Sequence, residues 1–422
     1  MLADAIIGHY FRSIRNHFAV GGRVRRKLLV IACVIGALAW PTVATADAAA
    51  PGVWPLGRVT EFATAGGTPE ASIMVGRSPT GMVMAPNGDF IYVQNFESDT
   101  ITQIPAAGRS GPIRTLHVNG QPTAMAITPN SQILYVGMEY GSGSAYGGQV
   151  VAIRTSNFTR IRAIPVANPQ QIVVAPAGKL AYVLGMGPFP EAVTPIVTAT
   201  NRARSPIILS RSVYESAGLV MTPNGRYLYV VSTVSVVRTN NPSEAGRVTP
   251  IQLPGGRVLK PIPVGRYPAS IVAMPGSRMV YVSSWAGVTP IRTATNTATR
   301  AINVGLWPGG MVVTPNGKTL YVSNAAGDVY PISTADNEAG SPIFFGDAVA
   351  PLNSAGSLSV TPNGQTVYVA IGPTGSPGII MPIATATNSL GNPIDVSPDP
   401  ISVVVAPNGK TAYALDRVSN SG

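Results

Sequence analysis

Cysteine is all but missing: the 422 residues include one, Cys33, and only three histidines. An internal disulfide framework is therefore excluded, and so are zinc sites built from Cys and His at short fixed spacings. Charge is scarce as well, at 11% of the chain against the usual quarter. No apolar run reaches the roughly 20 residues of a membrane-spanning helix. No Walker-type loop, dinucleotide-binding fingerprint or calcium loop occurs, so the familiar routes to nucleotide and metal chemistry have no residues to run on. What is plentiful is the residue type that turns a chain, Gly 45 and Pro 39, alongside 45% hydrophobic residues. That combination suits many short strands sharing a large core.

The N-terminus reads as an export signal. Arg23, Arg25, Arg26 and Lys27 precede the apolar run Leu28 to Trp40, and small residues follow, with cleavage patterns at Ala44-Thr45-Ala46 and Ala46-Asp47-Ala48. Arg25-Arg26 also resembles a twin-arginine signal, the alternative to ordinary Sec export. Cys33 is read as filler of the apolar run. The expected division is a signal peptide over 1–48, a short linker over 49–56 and one domain over 57–422. The expected location is secreted or cell-surface, with no membrane span after cleavage; an uncleaved N-terminal anchor is the alternative. Residues 1–50 carry six basic groups and two acidic ones, so the net charge of +11 falls to 11 − 4 = +7 in the mature chain. The mature chain then has no cysteine and a single histidine, His117.

One motif recurs eight times. It appears as Ala85-Pro86-Asn87-Gly88 with Tyr92-Val93 and as Thr222-Pro223-Asn224-Gly225 with Tyr229-Val230. It is again clear at Thr314-Pro315-Asn316-Gly317 with Tyr321-Val322 and at Thr361-Pro362-Asn363-Gly364 with Tyr368-Val369. The other copies centre on Pro129, Pro176, Pro275 and Pro407; Ser131 and Ser277 stand where the glycine belongs, and these two turns are expected to be looser. Spacings between motif prolines run from 40 residues (Pro275 to Pro315) to 52 (Pro223 to Pro275). That is the length of one four-stranded propeller blade.

Each copy predicts a hairpin. Apolar runs such as Met82-Val83-Met84 and Val403-Val404-Val405 show no polar alternation, as strands covered on both faces do. Pro sets φ for the turn, and Asn-Gly is expected to supply its positive φ values. A Thr-Ala-Thr-Asn turn at Thr293–Asn296, Thr198–Asn201 and Thr385–Asn388 connects a third strand to a fourth. A second proline seven residues before the motif (Pro79, Pro122, Pro169, Pro268, Pro308, Pro400) is expected to step the chain inward from one blade to the next. The mature chain begins with third and fourth strands and ends after a second. The expected fold is therefore all-β: a propeller of eight four-stranded blades with a two-plus-two strand closure. Seven blades is the rival count.

The Thr-Pro-Asn-Gly-x-x-x-Tyr-Val units resemble those of the YVTN-repeat β-propeller family over about residues 57 to 416. The resemblance implies a secreted or surface-layer propeller, structurally similar to propeller lactonases, lyases and quinoproteins.

Candidate chemistry is thin. His117, in Leu116-His117-Val118, is expected on an outer strand as a structural residue. No catalytic residue, metal ligand or cofactor is assigned. Connections between second and third strands vary in length (Met138 to Gly148, Gly185 to Glu191, Ser232 to Gly246, Gly372 to Gly378) and share a face with the inward-stepping loops. Variable loops on one rim of a constant scaffold are where propellers bind. Tyr267, Trp285 and Trp307 fall in such loops with Arg266 adjacent, and exposed aromatics beside a polar group suit carbohydrate or peptide contact. Tyr140 and Tyr146 form a second aromatic pair. The expected function is a monomeric, non-catalytic propeller binding a protein, peptide or cell-wall glycan. Basic residues stand as singles, which argues against nucleic acid. The alternative is a hydrolase or lyase whose Asp99, Glu139, Glu191 and Arg238 converge on the central channel.

Overall fold

The computed structural model describes residues 56–140, 147–185, 191–210, 215–236, 243–305, 307–345, 356–372 and 378–417. Residues 1–55, with the expected export signal, and Tyr146 and Arg238 lie outside them. The described residues form no helix and eight antiparallel sheets, each a blade; in seven of them the strands run in chain order from channel to rim. The count of eight displaces the seven-bladed alternative. Blade 8 is the seam: its strands lie in the order Pro69–Arg77, Leu56–Ala63, Thr411–Arg417, Pro400–Val405. Across it Gly57 pairs with Arg417 and Ala63 with Thr411, so the chain's two ends hide each other's sheet edges. In blades 3, 4 and 7 the outer strand is broken into two short pieces that both pair with the third strand.

The unbroken apolar runs have a direct cause. Met82 and Met84 of blade 1's inner strand pack against the cluster that holds Tyr413 and Leu415 of blade 8. Val83 between them packs on Leu134 of blade 2. Successive side chains point to opposite sheet faces, and here both faces meet a neighbouring blade.

The turn motif works differently from expectation. Glycine alone adopts the left-handed conformation, as at Gly88 (φ 76), Gly225 (φ 68) and Gly317 (φ 68). Asn instead folds its side chain over the turn: Asn224 Oδ1 accepts from the Arg226 N–H at 3.0 Å and Asn316 Oδ1 from the Lys318 N–H at 2.9 Å. Nor are the serine copies looser. Ser131 (φ 59) and Ser277 (φ 56) keep the left-handed turn and its backbone bond. Their hydroxyls also accept from the N–H of Asn87 and Asn224 in the preceding blades, both at 3.0 Å.

The motif tyrosines are fully or almost fully buried and tie each blade to the next. Tyr135, Tyr229, Tyr281 and Tyr321 donate to the side chains of Asn201, Asn296, Asn337 and Asn388 at 2.6, 2.6, 2.7 and 2.6 Å. Those asparagines end the third-to-fourth-strand turns of the following blades with φ of 51° to 62°. Asn suits both tasks, since it tolerates positive φ and offers an acceptor. Blades without that asparagine improvise: Tyr368 donates to the Thr64 carbonyl at 3.1 Å, and Tyr413 accepts from the Ala107 N–H at 2.7 Å.

This dual role is separable. Asn296→Gly keeps the backbone conformation and loses the acceptor, leaving the Tyr229 hydroxyl without its partner, at a cost of about 1–3 kcal/mol. Asn296→Ala adds left-handed strain of about 1 kcal/mol or more. Denaturant midpoints are expected in the order wild type, Gly, Ala; equal midpoints for Gly and Ala would remove the conformational half of the argument.

Candidate functional site

Loops on one face of the ring step the chain inward from blade to blade, and entering five of the blades they do so through a left-handed residue placed directly before proline. The residue is Ser78 (φ 46) before Pro79, Asn168 (φ 38) before Pro169 and Asp399 (φ 86) before Pro400. Small polar residues bear this conformation best. Entering blades 5 and 6 the same position holds aromatics, Tyr267 (φ 49) and Trp307 (φ 54). Bulky side chains at positive φ are outliers, each costing about 1–3 kcal/mol, and such strain is concentrated at functional sites.

The structure brings these two rings together with a third. Trp285 sits in the turn between the second and third strands of blade 5, where its N–H donates to the Arg266 carbonyl at 2.9 Å. Its own carbonyl accepts from the Trp307 N–H at 3.3 Å. Ring centroids lie 6.1 Å apart for Tyr267 and Trp285, 5.8 Å for Tyr267 and Trp307 and 5.7 Å for Trp285 and Trp307. The three thus form one continuous aromatic surface. Trp307 is 38% exposed, Tyr267 and Trp285 are half-buried, and Arg266 is exposed beside them. Because the rings touch each other, no ligand ring fits between them; what they offer is an outward-facing platform.

Two polar clusters share this face. At the seam, Asp416 is fully buried, with Thr60 donating to its Oδ2 at 3.1 Å and no hydrogen-bond partner at Oδ1. Burial pushes its carboxyl up to about 7, against the opposing pull of Thr60 and Arg58. Asp399 nearby is also raised by burial, partly offset by Arg417. The Arg58 guanidinium, on the cross-strand partner of Asp416, donates to Ser397 Oγ at 3.0 Å. Between blades 3 and 4, buried Glu191 accepts from the Ser232 hydroxyl at 2.7 Å and lies 3.8 Å from the Arg247 guanidinium.

Asp99, Glu139 and Glu191 belong to three successive blades, with Asp99 in the second-to-third-strand turn of blade 1. His117 is exposed on an outer strand, and Tyr140 ends the second strand of blade 2. The buried seam acids were not anticipated. A signal existed: three residues after the motif tyrosine stand Asn95, Ser232, Ser284 and Asn324, and only the last blade carries a carboxylate there, Asp416.

A scan against protein-family models matches none, and a search of curated proteins finds no match either. Solved structures do resemble the fold. Hydrazine synthase from Kuenenia stuttgartiensis matches at 19% identity and a TM-score of 0.51, covering 82% of this chain and 97% of that one. Dihydro-heme d1 dehydrogenase NirN in complex with DHE matches at 15% identity and a TM-score of 0.60, covering 84% of this chain and 77% of that one. At such identities the likeness is one of propeller fold alone.

Proposed function

We propose that the protein is an exported, monomeric, non-catalytic propeller of the YVTN-repeat type that binds a protein, peptide or cell-envelope glycan through its loop-variable face. Residues 1–48 direct export and are removed. The observation carrying the binding role is that three aromatic rings from separate loops converge beside Arg266, two of them on strained backbone. Strain of that kind persists where binding needs the geometry. The repeat units Thr222–Val230, Thr314–Val322 and Thr361–Val369 support the family assignment.

Cosedimentation with cell-wall material tests the site. Trp285→Ala combined with Trp307→Ala is expected to weaken binding at least tenfold, and undiminished binding would eliminate the platform. Trp307→Asn adds a sharper criterion. Relief of about 1–3 kcal/mol of backbone strain offsets lost ring contacts of about 0.5–1.5 kcal/mol per pair. Binding is therefore expected to fall with the unfolding midpoint almost unchanged, whereas a Trp kept only for packing would lose several kcal/mol on truncation.

A second reading, a propeller hydrolase or lyase, draws support from the buried Glu191 carboxylate beside Ser232 and Arg247. Turnover of any substrate in a panel of lactones, esters and uronides, abolished by Glu191→Gln, would favour it over the binding role.

A further inference from the structure

We propose that the ligand of the aromatic platform is an anionic polysaccharide, a deepening that rests on the binding role just described. From Ala245 to Gly327 the chain contains no Asp or Glu, although it carries Arg and Lys throughout. This stretch supplies most of the third strand and the outer strand of blade 4, all of blade 5 and the first half of blade 6. The platform lies in its middle.

Three of the cations trace a path away from the rings. Arg266 stands beside Tyr267 on the loop-variable face; Lys260 lies between the two outer-strand pieces of blade 4, Arg257–Val258 and Ile262–Val264, and Arg300 just after the outer strand of blade 5, Thr297–Ala298, which packs beside Ile262–Val264. All three are exposed, and among the described residues none has a carboxylate within ion-pair distance. Outside the stretch Arg109 pairs with Asp89 at 2.6 Å, and at its start Arg247 lies 3.8 Å from Glu191 of the neighbouring blade. Arg278, Arg292 and Lys318 extend the positive field over the opposite face. The next carboxylate along the chain on the platform's own face, Asp328, directs Oδ2 toward Asn324 Nδ2 at 3.5 Å.

A run of like charge with so little compensation attracts the opposite sign and steers it inward. Its spread from face to rim fits an extended polymer better than a compact ligand. Trp307, 38% exposed, offers ring surface on which the C–H face of a single sugar can stack, while Arg266 and the rim cations meet acidic groups along the chain. A protein exported from the cell meets envelope polysaccharides rather than nucleic acid.

The test is equilibrium binding of the purified protein to polygalacturonate, to its methyl ester and to a phosphomannan, with single-stranded DNA as a fourth probe. Polygalacturonate is expected to bind at least tenfold more tightly than its neutral ester, with affinity falling as salt rises from 50 to 300 mM. The triple variant Lys260→Gln, Arg266→Gln, Arg300→Gln is expected to lose that preference, and Trp307→Ala to weaken both polymers. Tight binding of phosphomannan alone would assign phosphate rather than carboxylate as the acidic group. Equal affinity for acid and ester, with the Trp307 effect retained, would overturn the anionic class yet leave the binding site standing. DNA binding without polysaccharide binding, or no binding at all, would overturn the proposal. Polymer binding indifferent to Trp285 and Trp307 would sink the platform itself.

Discussion

Deleting residues 51–76 is expected to unfold the C-terminal blade first and to destabilise the whole ring. The deletion removes the third strand of blade 8 and all but the last residue of its outer strand, and with them Val59 and Phe62, both fully buried, and Val75 at 6% exposure. Burying each such side chain contributes about 1.5–3 kcal/mol. Their combined loss rivals the 5–15 kcal/mol by which a whole domain is usually stable. Strand Thr411–Arg417 would also become an open edge, a template for aggregation. Hydrogen exchange is expected to accelerate most in residues 400–417, far ahead of blades 3 to 5. Unaltered protection of 400–417 in the deleted protein would mean that the seam is held by something other than this pairing.

The second large effect concerns pH. Asp416 keeps its proton up to about pH 7 in the folded chain, where an unfolded one releases it near 3.8. The folded state therefore binds that proton more tightly, and its contribution to stability is complete below about pH 4. It declines as pH rises through the interval to 7 and is gone above it. Over that span the loss amounts to about 4 kcal/mol, at about 1.4 kcal/mol per pH unit. Asp416→Asn is expected to remove most of this decline, leaving that of Asp399, and to raise the melting temperature at pH 8. Asn95 already fills the equivalent place in blade 1, donating to Thr100 and Thr102 at 3.1 and 3.0 Å. Parallel pH profiles for the variant and the wild type would show that Asp416 ionises freely in the fold.

The blade count and the seam were legible because a propeller repeats its contacts. Each Tyr-Val pair meets the same neighbours as the next, so the pattern recurs at a fixed period, and matching the chain ends to its phase locates the closure. The role of Asn in the turn was misjudged because a hairpin reading assigns positive φ to both central residues, whereas here only Gly takes it and Asn caps the turn. The partners of the motif tyrosines were invisible for another reason: Tyr229 and Asn296 lie a blade apart in sequence, and only the stacking of neighbouring sheets brings them together. In the sequence Tyr267, Trp285 and Trp307 are marked by loop position beside Arg266 alone. Their mutual contact depends on the left-handed step before each proline, which propensity does not foretell for an aromatic residue.

Closure within a blade makes the position of the covalent break arbitrary. Gly57 lies directly opposite Arg417 in neighbouring antiparallel strands, as close as residues that other blades join through a second-to-third-strand loop. A short linker there, with a new opening between Tyr140 and Gly147, would yield a circular permutant of the same ring. The ring thus has no first or last blade, and its aromatic platform is marked out by the side chains of blades 5 and 6 rather than by distance from an end.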